Sequence, residues 1–326
     1  LSISAATAAP VHPRYPDGDL LDGHRVVNVL DDVLEFWAQA RGSTLKQARR
    51  IWIETIEKKY PAYFEQAIYR DVEPPERWAM LGEFLLQLPQ RIEAMRRLNY
   101  GIEEHVLEAV AAFKWRFPEY RQRADIYVGV SFAMYDGSVR PVGNEDGVPD
   151  TLCLGADVLA SYATAETQIA ITHELFHLYH FGFLLRESQP PMFSAPHMPL
   201  MIEGLAVAAT EAVHPTHPAE TYLHFSKEQL QSQRDRLETS SDEFLELMFA
   251  RSGPEDYAGW FVNMPGETTS SRGGYLLGYE VVKRLLGRYS FEDLVRFDAG
   301  QLRELAEEEL MAIALGPIFL ATAEEH

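Results

Sequence analysis

The chain has 326 residues, 46% of them hydrophobic and 24% charged, which is ample material for a buried core. Its 49 acidic against 29 basic residues give a formal net charge of −20, an argument against nucleic acid and anionic membrane surfaces as partners. No apolar run approaches the length of a membrane-spanning helix, and a single cysteine, Cys153, excludes an intrachain disulfide.

Residues 1–24, with Pro10, Pro13 and Pro16, read as an extended arm. The small-residue start Leu1-Ser-Ile-Ser-Ala-Ala-Thr-Ala-Ala resembles the neighbourhood of an Ala-x-Ala cleavage site, which gives an expectation of export to the periplasm or beyond. Residues 25–120 are expected to form a helical lobe that walls one side of a cleft. Val27-Val-Asn-Val-Leu, Phe36-Trp37, Ile51-Trp52 and Ile56 carry helical spacing from Val26 onward, and Gly42-Ser-Thr44 breaks and recaps it. Pro61, Pro74-Pro75 and Pro89 mark further helix ends. Residues 121–326 then form a second region, opening with a small sheet over 124–155. Within it, 126–134 reads as a strand, Asp136-Gly137 as a two-residue hairpin turn, 139–142 as the returning strand and 152–154 as a third, with Cys153 buried.

The next segment carries the chemistry. Thr167-Gln-Ile-Ala-Ile-Thr-His-Glu-Leu-Phe-His-Leu-Tyr-His180 has helical character, with Thr164 as N-cap, Glu166 in the first turn and Gly182 as a stop. Ile171, Leu175 and Leu178 form a core-facing stripe. His173 and His177, four apart, share a different face and can occupy two corners of a zinc tetrahedron, with Glu174 beside them as a base. The alternative is two buried histidines satisfied by hydrogen bonds. His180 stands about 10 Å along the axis from His173, too far for one ion to reach both, so it belongs behind the ligands or on a polar rim. A histidine ten residues after His173 would define another zinc class, but that position holds Phe183.

The third ligand falls to Glu203, early in an Ala-rich helix over 199–213 that follows a Pro-rich connection and stops at His214-Pro215. Gly204, Ala206, Ala208 and Ala209 let that helix approach a neighbour closely. The two metal helices thus span 164–213. Beyond them, C-terminal helices fill 218–326: 220–237, 242–251, 270–287 with Gly273 and Gly274 at its mouth, 292–297 and 302–315. Residues 252–266 form a loop suited to be a lid.

His173-Glu-x-x-His177 followed by a Glu203-Gly-x-Ala helix resembles the gluzincin metallopeptidases, the thermolysin-like clan, and most closely the bacterial family of predicted Zn-dependent proteases. The resemblance covers roughly residues 100–295. It also rests on the expected hairpin near 125–140, on Leu154-Gly-Ala-Asp-Val-Leu159 and on Gly273-Gly-Tyr-Leu-Leu-Gly-Tyr279. It implies an α+β, mostly helical fold: a thermolysin-like zincin core whose small sheet precedes the motif helix, with the edge strand receiving an extended substrate. It further implies His173, His177 and Glu203 as ligands of one Zn²⁺ per chain, Glu174 as general base, and a tyrosine from the 270–287 helix as oxyanion donor, Tyr279 before Tyr275. Arg272 stands at the mouth of that helix, either solvated or holding a substrate carboxylate.

Two departures matter. Thermolysin-like sites carry an Asn before the ligand Glu and an Asp four after it, where this chain has Ile202 and Val207. Zinc aminopeptidases carry a Gly-x-Met-Glu-Asn-type strand, whereas Phe132-Ala-Met-Tyr-Asp136 has Tyr135 in place of the acid. The expected activity is zinc-dependent hydrolysis of peptide bonds, with an endopeptidase slightly favoured. The rivals are a hydrolase or tailoring enzyme acting on a small non-peptide substrate, and a binding protein merely stapled by zinc.

Overall fold

The computed structural model describes residues 24–70, 72–121, 123–144, 147–184, 195–250, 253–262 and 272–320, with side chains as far as 316. The expected arm, apart from His24, lies outside these residues, as do most of the Pro-rich connection before Glu203 and the end of the expected lid loop.

The fold is mostly helical with one four-stranded mixed sheet, an α+β arrangement. Strand β1 (Arg25–Asn28) leads directly into helix α1 (Val29–Ala40), whose first turn is capped by the Asn28 side chain accepting from the Leu30 N–H. The helical reading from Val26 is corrected here. Two adjacent valines pair well in a parallel ladder, and an Arg25–Asp125 ion pair fixes the register against the strand that starts at Asp125. Helix α2 (Leu45–Trp52) starts at the Thr44–Gln47 capping box and continues as a π-helical turn, Ile53–Glu57; a second π-helical turn covers Tyr63–Ile68.

Helix α3 (Pro74–Arg116) begins at its proline pair but does not stop at Pro89. Pro89 lies on the exposed face, while Leu85, Leu88, Ile92 and Met95 are buried. Burial of that stripe outweighs the lost backbone bond, about 3 kcal/mol.

The sheet consists of β1, β2 (Asp125–Gly129), β4 (Thr151–Gly155) and β3 (Gly137–Arg140), side by side in that order. The first three are parallel; β3 is an antiparallel edge strand on β4. The expected hairpin between 126–134 and 139–142 is therefore absent. Both sides of β2 are already occupied, so the chain leaves it at Gly129 and loops across to the far side of β4. That loop uses left-handed backbone at two non-glycine residues, Phe132 (φ 54°) and Ala133 (φ 63°). All five β4 residues are buried, Cys153 among them, as expected of a central strand.

A short helix, α4 (Ala156–Leu159), precedes α5 (Thr164–Leu184), which runs through Gly182 rather than ending there. Helix α6 (His197–Val213) starts two residues before Pro199. The expected 220–237 helix is two pieces, α7 (Ala219–Leu223) and α8 (Lys227–Asp235), separated where His224 takes the left-handed conformation, φ 51°. There follow α9 (Leu237–Phe249), α10 (Pro254–Tyr257), α11 (Gly273–Leu285), α12 (Phe291–Leu294) and α13 (Ala299–Leu320), kinked at Gly316. No described helix is long and apolar enough to cross a membrane.

Helices α5 and α6 are buried around most of their circumference, α5 beside α3 and α6 beside α11. Polar groups on such helices have little water to turn to, and must find partners inside the protein.

Candidate metal centre

The α6–α11 contact sets the site. A Cβ on Gly204 would overlap the backbone of Gly278, and one on Gly278 would overlap the Leu200 carbonyl, so the two helices touch backbone to backbone. Only glycine permits that approach. It brings Glu203, next to Gly204, and Tyr275, one turn before Gly278, to the same end of the helix pair, facing α5.

There, three side chains meet. His173 Nε2 and His177 Nε2 are 3.0 Å apart, and Glu203 Oε2 lies 3.1 Å from the first and 3.4 Å from the second. A hydrogen-bonded trio cannot satisfy all three edges. Two neutral imidazoles bring at most two protons, and the facing nitrogens must divide into one donor and one acceptor. A metal accounts for all three edges at once. Zinc bonds of about 2.0–2.1 Å in a tetrahedron place ligand atoms about 3.3 Å apart, close to the observed triangle. Two imidazoles and one carboxylate are also the donor set zinc accepts with one position left open for water.

The charges fit the same description. Burial pulls the His177 imidazole down, but Glu203 beside it more than compensates and leaves it above the ordinary histidine value. Burial likewise opposes ionisation of Glu203, yet His177 and His173 hold its carboxyl far below the usual range. Glu174 is buried beside the trio, and burial raises its pKa despite the two nearby imidazoles. Its side chain lies against β3, where a Cβ on Gly137 would come within 2.5 Å of Glu174 Cγ. Glycine at the start of the edge strand therefore makes room for the carboxylate.

The two tyrosines separate. Tyr275 is the one facing the cluster: its ring centroid is 6.3 Å from that of His173, and the Arg272 guanidinium stacks over its other side at 4.5 Å. Burial, then the Glu203 charge, keep its hydroxyl protonated far above the ordinary range. Tyr279 is turned away. Its hydroxyl accepts from Lys283 Nζ at 3.2 Å and bonds Glu211, with burial the main cause of its raised pKa. Four residues turn a helix slightly past a full circle and advance it by about 6 Å, and with Glu211 and Lys283 to bind it Tyr279 lies outside the site. Of the two expected tyrosines, Tyr275 therefore stands beside the cluster and Tyr279 apart from it.

Two further residues, Asp136 and His224, carry no sequence signal as site residues and still border the site. Asp136, which read as a turn residue, accepts the Tyr162 hydroxyl at 2.8 Å and the Gly137 N–H at 2.8 Å. His224 stacks on Tyr162 with centroids 5.1 Å apart. Burial works against the Asp136 charge, but His224, Tyr162 and the Gly137 N–H hold its carboxyl below the ordinary value. His180 is fully buried rather than on a rim.

No curated protein and no solved structure is significantly similar to the chain. Residues 136–304, more than half of its length, match a family model described as "Predicted Zn-dependent protease (DUF2268)". The matched segment starts at the site-bordering Asp136 and contains the trio, Glu174 and Tyr275. With this match, the chain belongs to the family of predicted Zn-dependent proteases.

Proposed function

We propose that the protein is a gluzincin-type zinc metallopeptidase. The triangle of His173, His177 and Glu203 carries this reading, because its edges suit one tetrahedral ion and not a hydrogen-bonded trio. Zinc held there would polarise the scissile carbonyl and acidify water.

The remaining work belongs to the chain. Glu174, raised in pKa and pressed against β3, takes a proton from the attacking water and delivers it to the leaving amine. Tyr275, protonated and next to His173, donates to the oxyanion that forms as the carbonyl is attacked. Among the described residues β3 is an edge strand, and apart from the Gly137 N–H, which Asp136 accepts, its outward backbone groups can pair with an extended peptide, an observation that favours a peptide over a small metabolite. Gly137 at its start places such a peptide directly beside Glu174.

The experiment sets a peptide-library digest beside a metabolite screen, with E174Q as control. Cleavage of peptides by the wild type, lost by orders of magnitude in E174Q at unchanged zinc content, is the expected result. Wild-type rates from E174Q would remove the base, and turnover of metabolites alone would replace the peptidase reading.

A further inference from the structure

The trio leaves one question open: what fixes the ring of His177. Its Nε2 is turned to His173 and Glu203, while its Nδ1 is buried with no hydrogen-bond partner. Three residues on, along the same side of α5, His180 is fully buried and neither of its ring nitrogens has a partner. Orphaned buried nitrogens are rare, because each costs about 1–3 kcal/mol. Three of them within one turn of helix call for a common explanation.

Among the described residues, the rings packed against the two histidines supply no acceptor. Phe181 stacks on the His177 ring with centroids 5.5 Å apart, and Phe176 lies against His180 at 6.0 Å. Ile202 and Val207, to either side of Glu203 on α6, bear no polar side-chain atom. The two imidazoles are beyond direct hydrogen-bond reach of each other, yet one water needs only two to four polar partners in a buried site.

We propose that His180 is a positioning residue for the metal centre: through one ordered water it accepts the Nδ1–H of His177 and holds Nε2 aimed at the cluster. Burial, with His177 nearby, pushes the His180 pKa down to about 3, so the ring stays neutral and keeps an acceptor nitrogen. A ligand imidazole whose far N–H is engaged is fixed in tautomer and orientation and binds metal more tightly. This inference rests on the zinc reading above and adds a role to a residue outside the trio.

The test uses H180L and H180Q in the full chain, with zinc affinity measured by chelator competition and thermal unfolding of the metal-free protein measured alongside. H180L is expected to weaken zinc binding by about tenfold or more, while the metal-free protein keeps a cooperative unfolding transition, because leucine fills the buried space that the imidazole held. H180Q, which keeps an acceptor, should recover part of that affinity. Wild-type zinc affinity in H180L overturns the proposal, as does a loss of metal-free stability at unchanged affinity, which marks a histidine that only fills space. If H180L fails to fold, H180Q decides: affinity weakened less than tenfold but measurably supports the role, and unchanged affinity overturns it. Failure of the wild type itself to bind zinc would instead strike the trio.

Discussion

The cradle of α5, α6 and α11 and the rim formed by β3, its preceding loop and His224 meet at Glu174, yet they are built by opposite means. The cradle relies on close packing of regular helices, with Gly204 against Gly278 and donors spaced by helical turns. The rim relies on irregular backbone tied by individual hydrogen bonds. Asp157 accepts the N–H groups of Ser131 and Ala133, both at 2.7 Å, and so holds the left-handed Phe132–Ala133 step. The Gly155 N–H to Asp136 carbonyl bond, 2.8 Å, then sets where β3 begins. Rigid helices position the candidate ligands; a hydrogen-bonded loop positions what faces the substrate. Damage to the cradle should therefore cost metal, and damage to the rim should cost turnover with metal retained.

The sharpest contrast lies within one helix. Y275F removes the proposed oxyanion donor and should lower kcat by about 10²–10³-fold with zinc content unchanged; Y279F should stay within a few-fold. Steady-state kinetics of the two variants side by side check this, and equal losses would return Tyr279 to the site. G278A strikes the cradle. Its added methyl overlaps the Leu200 carbonyl, so α11 must move off α6, at a cost of about 1–3 kcal/mol. Denaturant unfolding should show that loss, together with weaker zinc binding as Glu203 shifts.

D157N tests the rim. An amide cannot accept from both N–H groups as the carboxylate does, so the loop loosens, at about 1–3 kcal/mol. Zinc affinity should hold while kcat/KM falls. Zinc loss equal to that of G278A would erase the distinction between the two regions.

The most gradual effect is in pH. His180 stays unprotonated in the fold down to pH about 3, whereas an unfolded histidine titrates near pH 6.5. Between these values the unfolded chain binds the extra proton, so metal-free stability falls as pH drops through that window, by up to about 1.4 kcal/mol per unit. Unfolding of wild type and H180L across pH 4–7 should show a shallower decline in the variant.

The difference between cradle and rim also explains what the sequence made legible. His173 and His177 meet because four residues make nearly one turn, and Glu203 joins them because small residues beside it admit close packing. Both are local rules that a linear pattern expresses. Gly204 was legible as a close approach, though not of what. The strand pairing was not legible: Val26-Val27 suits either period, and nothing local states that β2 has no free side. The placement of Tyr279 was not legible either, because a four-residue repeat fixes a rough face and leaves the choice of partner to Glu211 and Lys283. Asp136, Asp157 and His224 act through contacts across the chain and through left-handed backbone at residues other than glycine, for which sequence has no periodic sign. Pro89 shows the converse, a strong local stop overridden by a buried stripe.

The central claim is that one ion sits inside the triangle of His173, His177 and Glu203. A crystal structure of the zinc-loaded protein, with the metal located by anomalous scattering at the zinc edge, tests it most directly. The account predicts a single peak about 2.0–2.2 Å from both Nε2 atoms and a Glu203 oxygen, with a fourth position open toward Glu174 and Tyr275. A peak elsewhere, or a fourth protein ligand closing that position, would contradict it.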